Sequence, residues 1–159
     1  MKKTIALLFI VTSLILINSK TKAQDYRHQL GIRIGSVDQI VSTGFSYKYN
    51  FTAKKSVEAI LNLKDDIALG ALFELKNPLT EPSGLSWYYG AGGYVGFGQE
   101  NNLGITGVLG FDYQFFGNLP INVSIDWKPE LNIVKEVTFR AATVGVSVRF
   151  SLNSSSPKK

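Results

Sequence analysis

The chain has 159 residues, including 15 glycines, 10 phenylalanines, 7 tyrosines and no cysteine. This length suits a single domain, and the lack of cysteine excludes disulfides and thiolate metal sites. Four of the 17 basic residues lie before residue 23, which leaves 13 basic residues to balance 12 acidic ones. No basic stripe remains, so nucleic acid is not an expected partner.

Residues 1–23 have the pattern of a secretory signal peptide. Two lysines precede an apolar run over 5–17, and Thr21 and Ala23 are small residues at the −3 and −1 positions of a cleavage site. The apolar run has 13 residues, fewer than the roughly 20 that a membrane-spanning helix needs. We therefore expect export followed by cleavage near Ala23.

Apolar and polar residues alternate with a period of two through the rest of the chain, which predicts β-strands. The pattern is clearest over 103–131, where two alternating arms flank a short turn of sequence FGNLP. Turn residues separate eight such segments. The predicted strands cover 29–36, 40–50, 55–64, 67–76, 85–98, 103–115, 119–131 and 137–152.

Each predicted strand has one apolar face and one face of small, polar or charged residues. Ile60 and Leu72 are apolar exceptions on the polar face, and residues 138–143 have no clear phase. The strands are long enough to cross a bilayer when tilted, and eight is an even number typical of small outer-membrane barrels. The predicted fold class is all-β: an eight-stranded antiparallel up-and-down transmembrane β-barrel over 24–152. A disordered polar tail follows over 153–159.

Several segments resemble the small eight-stranded outer-membrane β-barrel proteins of Gram-negative bacteria, the OmpX/OmpA-barrel-like superfamily. They are WYYGAGGYVGFG at 87–98, GITGVLGFDYQF at 104–115, LPINVSIDWKPEL at 119–131 and VGVSVRF at 144–150, together with the signal peptide. The resemblance implies a monomeric protein of the cell outer membrane, in contact with outer-membrane lipid. It also implies that the barrel-assembly machinery reads Phe150 at the end of the last strand during insertion.

Balanced charges are expected on the inward face of the barrel. Because an eight-stranded barrel is just wide enough for side chains to fill, these charges must be paired. Across the hairpin of the second and third strands, Lys48 is expected to face Glu58, with Glu74 nearby. The predicted lumen charge cluster is Arg33, Lys48, Glu58, Glu74, Asp112, Asp126, Lys128 and Arg149.

Aromatic residues on the outward face are expected to form a girdle near the membrane surface. With both termini in the periplasm, most of them collect at the periplasmic rim, while Phe97 and Trp127 belong to the opposite rim. The longest connection, 77–84, would then also be periplasmic. The predicted girdle is Tyr47, Tyr49, Phe51, Trp87, Tyr89, Phe97, Tyr113, Phe115, Trp127 and Phe150.

Catalysis has little support in the sequence. His28 is the single histidine and precedes the first strand, where a solvated role is expected rather than a place in a Ser–His–Asp triad. Asp112 and Asp126 are expected to form ion pairs instead of acting as a catalytic carboxylate pair. The run Gly90–Gly93 lies inside a strand, so it is not a phosphate-binding loop. We expect no enzyme activity, no cofactor and no metal site.

Three functions remain open. The first is a closed outer-membrane barrel with a structural or interaction role. The second is a narrow channel or carrier of small apolar molecules, as in OmpW-like barrels. The third is a secreted lipocalin-like barrel, which would need its apolar face inside and its polar face outside.

Overall fold

The computed structural model describes residues 26–35, 43–63, 67–97, 102–115, 120–134, 137–141 and 144–152. The predicted signal peptide, tail and connection at 37–39 lie outside them. No helix in the described residues is long and apolar enough to cross a membrane. The strands are β1 (His28–Gly35), β2 (Gly44–Thr52), β3 (Lys55–Asn62), β4 (Ile67–Pro78), β5 (Leu85–Phe97), β6 (Asn102–Gln114), β7 (Ile121–Trp127), β8 (Glu130–Asn132), β9 (Thr138–Arg140) and β10 (Val144–Leu152).

The strands form one closed antiparallel sheet. Their order is β5-β4-β3-β2-β1-β10-β7-β6, and pairing of β5 with β6 closes the ring. β8 continues β7 along β6, and β9 continues β10 along β8. The ten segments are therefore eight barrel strands in up-and-down order, which confirms the predicted eight-stranded antiparallel barrel.

The stagger of the strands can be read from their paired residues. Starting at Tyr113 on β6, successive partners once around the barrel are Val123, Val148, Ile32, Phe45, Leu61, Leu69, Val95 and Leu103. The path returns to β6 ten residues from its start. For eight strands this stagger implies a tilt of about 40° and a radius of about 8 Å. Each paired step climbs about 3 Å along the barrel axis, and each residue along a strand about 2.5 Å.

Apolar side chains cover the outside of the barrel, and polar ones fill the inside. Along β10 and the first eight residues of β4, exposed apolar residues alternate strictly with buried residues. Ile60 and Leu72, the predicted apolar exceptions, are 0% and 1% exposed inside the barrel. The usual arrangement of a water-soluble protein is thus reversed.

A proline separates β7 from β8 without changing the register. Leu109 pairs with Trp127 and Thr106 with Glu130, so both segments have the same alignment with β6. Pro129 has no N–H to donate, but its carbonyl accepts a 3.1 Å hydrogen bond from the Gly107 N–H. The strand therefore continues to Asn132, one residue beyond its predicted end at 131.

One extra residue separates β9 from β10. Three residues lie between Arg140 and Val144, whereas two lie between their partners Trp127 and Glu130. This one-residue shift of register reverses which residues face inward. Inward positions are odd-numbered in β10 and even-numbered in β9. This explains why residues 138–143 have no clear phase in the sequence.

Trp127 does not lie at the upper rim, contrary to the sequence prediction. It ends β7 but pairs with Leu109 in the interior of β6. From the stagger, it lies about 13 Å above Tyr113 and about 14 Å below Phe97, near mid-height. Its indole N–H donates a 2.5 Å hydrogen bond to the carbonyl of Ala141. The indole thereby satisfies a backbone carbonyl just after β9.

We expect Trp127→Phe to lower the free energy of unfolding by about 0.5–1.5 kcal/mol, the net contribution of one hydrogen bond, because the Ala141 carbonyl loses its donor. The matched control is Trp87→Phe, which makes the same change on the outer surface and keeps the ring stacked on Tyr89. Urea unfolding of both variants in detergent micelles measures the difference. Equal losses in the two variants would show that the indole hydrogen bond adds nothing.

Candidate functional site

Ten charged side chains in the barrel interior form the site described below, called the lumen network. A further inward-facing charge, Arg140 on β9, is partly exposed and is described separately. All eight predicted residues are 0–3% exposed. The structure adds Glu130, which is 1% exposed, and Lys76, whose side chain is 12% exposed. The basic members are Arg33, Lys48, Lys76, Lys128 and Arg149, and the acidic ones are Glu58, Glu74, Asp112, Asp126 and Glu130.

Glu58 on β3 is the centre of the lumen network. One carboxylate oxygen accepts from the Arg149 guanidinium and, at 2.7 Å, from the Ser46 hydroxyl. The other lies 3.0 Å from the Lys128 Nζ, which comes from the opposite side of the barrel. Glu58 therefore connects β2, β10 and the segment after β7 across the lumen.

Arg149 has hydrogen-bond acceptors on several sides. Its Nε–H donates to Ser46 at 2.6 Å, and its Nη1 donates to Ser124 at 2.9 Å and to Asn122 at 3.3 Å. A buried charge is tolerated only when it is paired and its remaining donors are satisfied. The serine and asparagine side chains of the inward face supply these acceptors.

Asp126 is the second hub. The Arg33 guanidinium contacts the Asp126 carboxylate at 2.8 and 2.7 Å, and the Lys128 Nζ lies 2.9 Å from the same carboxylate. The Tyr88 hydroxyl donates to the same carboxylate at 2.9 Å. Gly145 faces Arg33, and a Cβ there would overlap the guanidinium. This glycine leaves room for a long side chain inside a narrow barrel.

Lys48 faces Glu58 across the β2–β3 pair, as predicted, but it forms its ion pair with Glu74. Lys48 and Glu58 are paired by backbone register, whereas the Lys48 Nζ lies 2.8 Å from the Glu74 carboxylate. The same Nζ lies 4.3 Å from the centre of the Tyr88 ring. Glu58 is occupied by Arg149 and Lys128, which leaves Glu74 to balance Lys48.

The two aspartates considered as a catalytic pair are held apart by different partners. Asp112 lies 2.8 Å from the Lys76 Nζ and accepts a 3.2 Å hydrogen bond from Asn122. Asp126 lies on the neighbouring strand β7 and is bound by Arg33, Lys128 and Tyr88. Each of the two carboxylates is therefore engaged in its own ion pair.

An apolar cluster occupies the β3–β6 side of the lumen. It consists of buried Ile60, Leu72, Tyr88, Tyr94 and Val108. These side chains fill the space beside the ion pairs and exclude water from it. Because low polarity strengthens the attraction between charges, the cluster makes the neighbouring pairs harder to separate.

Sequence reasoning missed Lys76, Glu130 and Arg140 among the interior residues. Lys76 and Glu130 follow the even-numbered inward phase of their strands, so continuing the alternation by one step would have found them. Arg140 pairs with Glu130 on the inward face, but the register shift between β9 and β10 hides its phase. No simple signal in the sequence marks that position.

His28 lies on the outer surface, away from the lumen network. Its Nδ1 is 2.8 Å from the Tyr47 hydroxyl, and its ring centre is 5.0 Å from that of Tyr49. No carboxylate in the structure's described segments orients it as a triad would require. Within those segments, no group of histidine and acidic residues has the arrangement of a metal site either.

The predicted girdle residues all lie on the outside. Most lie at the end of the barrel that carries both termini, including the stacked pair Trp87 and Tyr89 and the edge-to-face pair Tyr113 and Phe115. Phe97 lies at the opposite end, where Phe139, 63% exposed, joins it. Trp127 is the exception noted above.

Comparison with family models, curated proteins and solved structures gives no match to this chain. The chemistry of the lumen network is therefore the main guide to function. It holds fixed, mutually neutralised charges, and its polar groups bind one another.

We expect Lys48→Met and Glu74→Gln each to lower the free energy of unfolding by about 3–5 kcal/mol, because each leaves a buried charge without its partner. The double variant should recover part of the loss. Unfolding of the four proteins in a double-mutant cycle measures the coupling.

A second cycle, Lys48→Met with Glu58→Gln, serves as the control, since Lys48 and Glu58 face each other without an ion pair. We expect the coupling with Glu74 to be the larger. A larger coupling with Glu58 would contradict the pairing described here.

Proposed function

We propose that this protein is a small integral outer-membrane β-barrel with a closed, salt-bridged lumen and a structural or interaction role. The observation that supports it most is the reversed polarity of the barrel, with an apolar outside around a charged inside. Membrane barrels need this polarity, because lipid surrounds them and their side chains fill the interior.

The height of the apolar belt supports this proposal. From the stagger, the outward residues between Trp87 at the lower end and Phe97 at the upper end span about 25 Å along the axis. Outer-membrane barrels have an apolar band of about this height. Among the described outward positions of β1 to β10, the single charged residue is Lys55, at the lower edge of the belt.

A membrane location would also explain why the belt leaves so much apolar surface uncovered. Ile32, Leu69, Ile105 and Ile125 are each about half exposed near the middle of the barrel. Soluble monomers rarely expose apolar patches above a few hundred Å². A continuous belt of this kind around a water-soluble barrel would lead to aggregation.

The interior argues against a lipocalin-like carrier, because such a carrier needs an apolar cavity. Here the centre of the barrel holds Arg149, Glu58 and Lys128 in mutual contact. A carrier of apolar molecules similar to OmpW-like barrels meets the same obstacle. The crossing ion pairs also favour a closed lumen over a channel, and steady single-channel conductance in planar bilayers would favour the channel instead.

The location can be tested by membrane fractionation. We expect the protein to pellet with outer membranes, to resist carbonate extraction and to change its migration on a gel after boiling, because a folded barrel binds less detergent than the unfolded chain. Recovery in the soluble periplasm would contradict the proposal.

The orientation can be tested with single cysteines, since the chain has none of its own. Glu100→Cys, between β5 and β6, should react with a membrane-impermeant maleimide on intact cells. Ser83→Cys, in the connection at the end that carries both termini, should react only after lysis. The opposite labelling pattern would reverse the topology while leaving the membrane location intact.

A further inference from the structure

Positively charged side chains collect on the outer surface at the lower end of the barrel, beside its aromatic girdle. Lys55 faces outward at the start of β3, and Lys54 precedes it in the turn from β2; both are exposed. Neither forms an ion pair with a residue in the described ranges. Every acidic residue in those ranges is buried in the lumen except Glu81.

An imidazole lies on the same surface, two strands away. His28 pairs with Tyr49 across β1 and β2, and its Nδ1 is 2.8 Å from the Tyr47 hydroxyl. When that hydroxyl donates to Nδ1, the imidazole proton resides on Nε2, which is then a donor for an oxygen acceptor. The edge-to-face pair of Tyr49 and Phe51 lies between the imidazole and the lysines.

These groups lie at the height where a membrane presents its headgroups. From the stagger, His28, Tyr49 and Lys55 fall within about 4 Å of one another along the axis, level with Trp87 and Tyr113. Aromatic side chains of a girdle lie at headgroup level, and a lysine there extends its ammonium toward phosphate. Neighbouring strands are about 4.8 Å apart, so the imidazole and Lys55 are about 10 Å apart around the barrel.

We propose that this corner, formed by His28, Tyr47, Tyr49, Lys54 and Lys55, binds the phosphate headgroup of an anionic phospholipid in the leaflet next to the termini. The two ammonium groups provide charge attraction, and the imidazole and tyrosine rings provide a polar and apolar edge on which the glycerol backbone rests. The inference rests on the proposed membrane location. It adds a preference for anionic over zwitterionic lipid at one defined place.

The experiment uses the mature full-length barrel in mixed micelles with equal amounts of a phosphatidylglycerol and a phosphatidylcholine of the same acyl chains. Native mass spectrometry counts the lipids that stay bound. We expect the wild-type protein to retain phosphatidylglycerol preferentially, and Lys54→Gln/Lys55→Gln to lose about tenfold or more of that preference, given the contribution of a lysine near an anionic surface.

A matched pair of variants separates a local site from overall charge. Lys55→Gln and Lys64→Gln each remove one positive charge, the first at the corner and the second in the connection from β3 to β4. We expect only Lys55→Gln to reduce the preference. Tyr47→Phe, which removes the hydroxyl next to His28, should reduce it to a smaller extent.

Each outcome is decisive. Equal retention of the two lipids by the wild-type protein, or an unchanged preference in the double lysine variant, overturns the site while leaving the barrel in the membrane. An equal effect of Lys64→Gln also overturns it, since net charge then accounts for the binding. A wild-type chain that fails to insert into vesicles of either lipid contradicts the proposed function itself, and the site with it.

Discussion

The cost of burying charge inside a closed barrel is the constraint on which the rest of this structure depends. Separating an ionised side chain from water is unfavourable by several kcal/mol even after relaxation. Eight strands with a stagger of ten residues leave a radius of about 8 Å, an interior that side chains can fill. Glu58 and Asp126 must therefore find cationic partners across the lumen, and those partners come from strands that are distant in sequence.

Because of this constraint, ion pairs across the lumen connect strands that are not neighbours in the sheet. The contact between Arg33 and Asp126 joins β1 to β7, and the contacts of Glu58 join β3 to β10 and to Lys128. Backbone ladders hold only neighbouring strands, whereas these side chains cross the interior. No single hairpin contains both members of these ion pairs, so the network forms only when the ring closes. We infer that the ion pairs help to specify one register, a role in which buried polar groups are best attested.

Alternation alone was enough to predict the eight strands and the inward face, because period two is a local property of the chain. It could not predict that Lys48 forms its ion pair with Glu74, because a long side chain extends past the residue opposite it. It also misplaced Trp127, whose height depends on the stagger summed around all eight strands. The phase of Arg140 was hidden by one inserted residue. The predictions failed where the position of a side chain depends on the register and stagger of the whole barrel and not on local alternation alone.

For the same reason, we expect other molecules to interact with the ends of the barrel rather than with its middle. In the lumen, the polar side chains bind one another, and the apolar cluster around Leu72 fills the space that remains. On the outside at mid-height, the indole N–H of Trp127 donates a hydrogen bond to a backbone carbonyl. Lys54 and Lys55, which form no ion pair with another described residue, lie at the lower edge. Their charges are therefore available to groups outside the described part of the barrel.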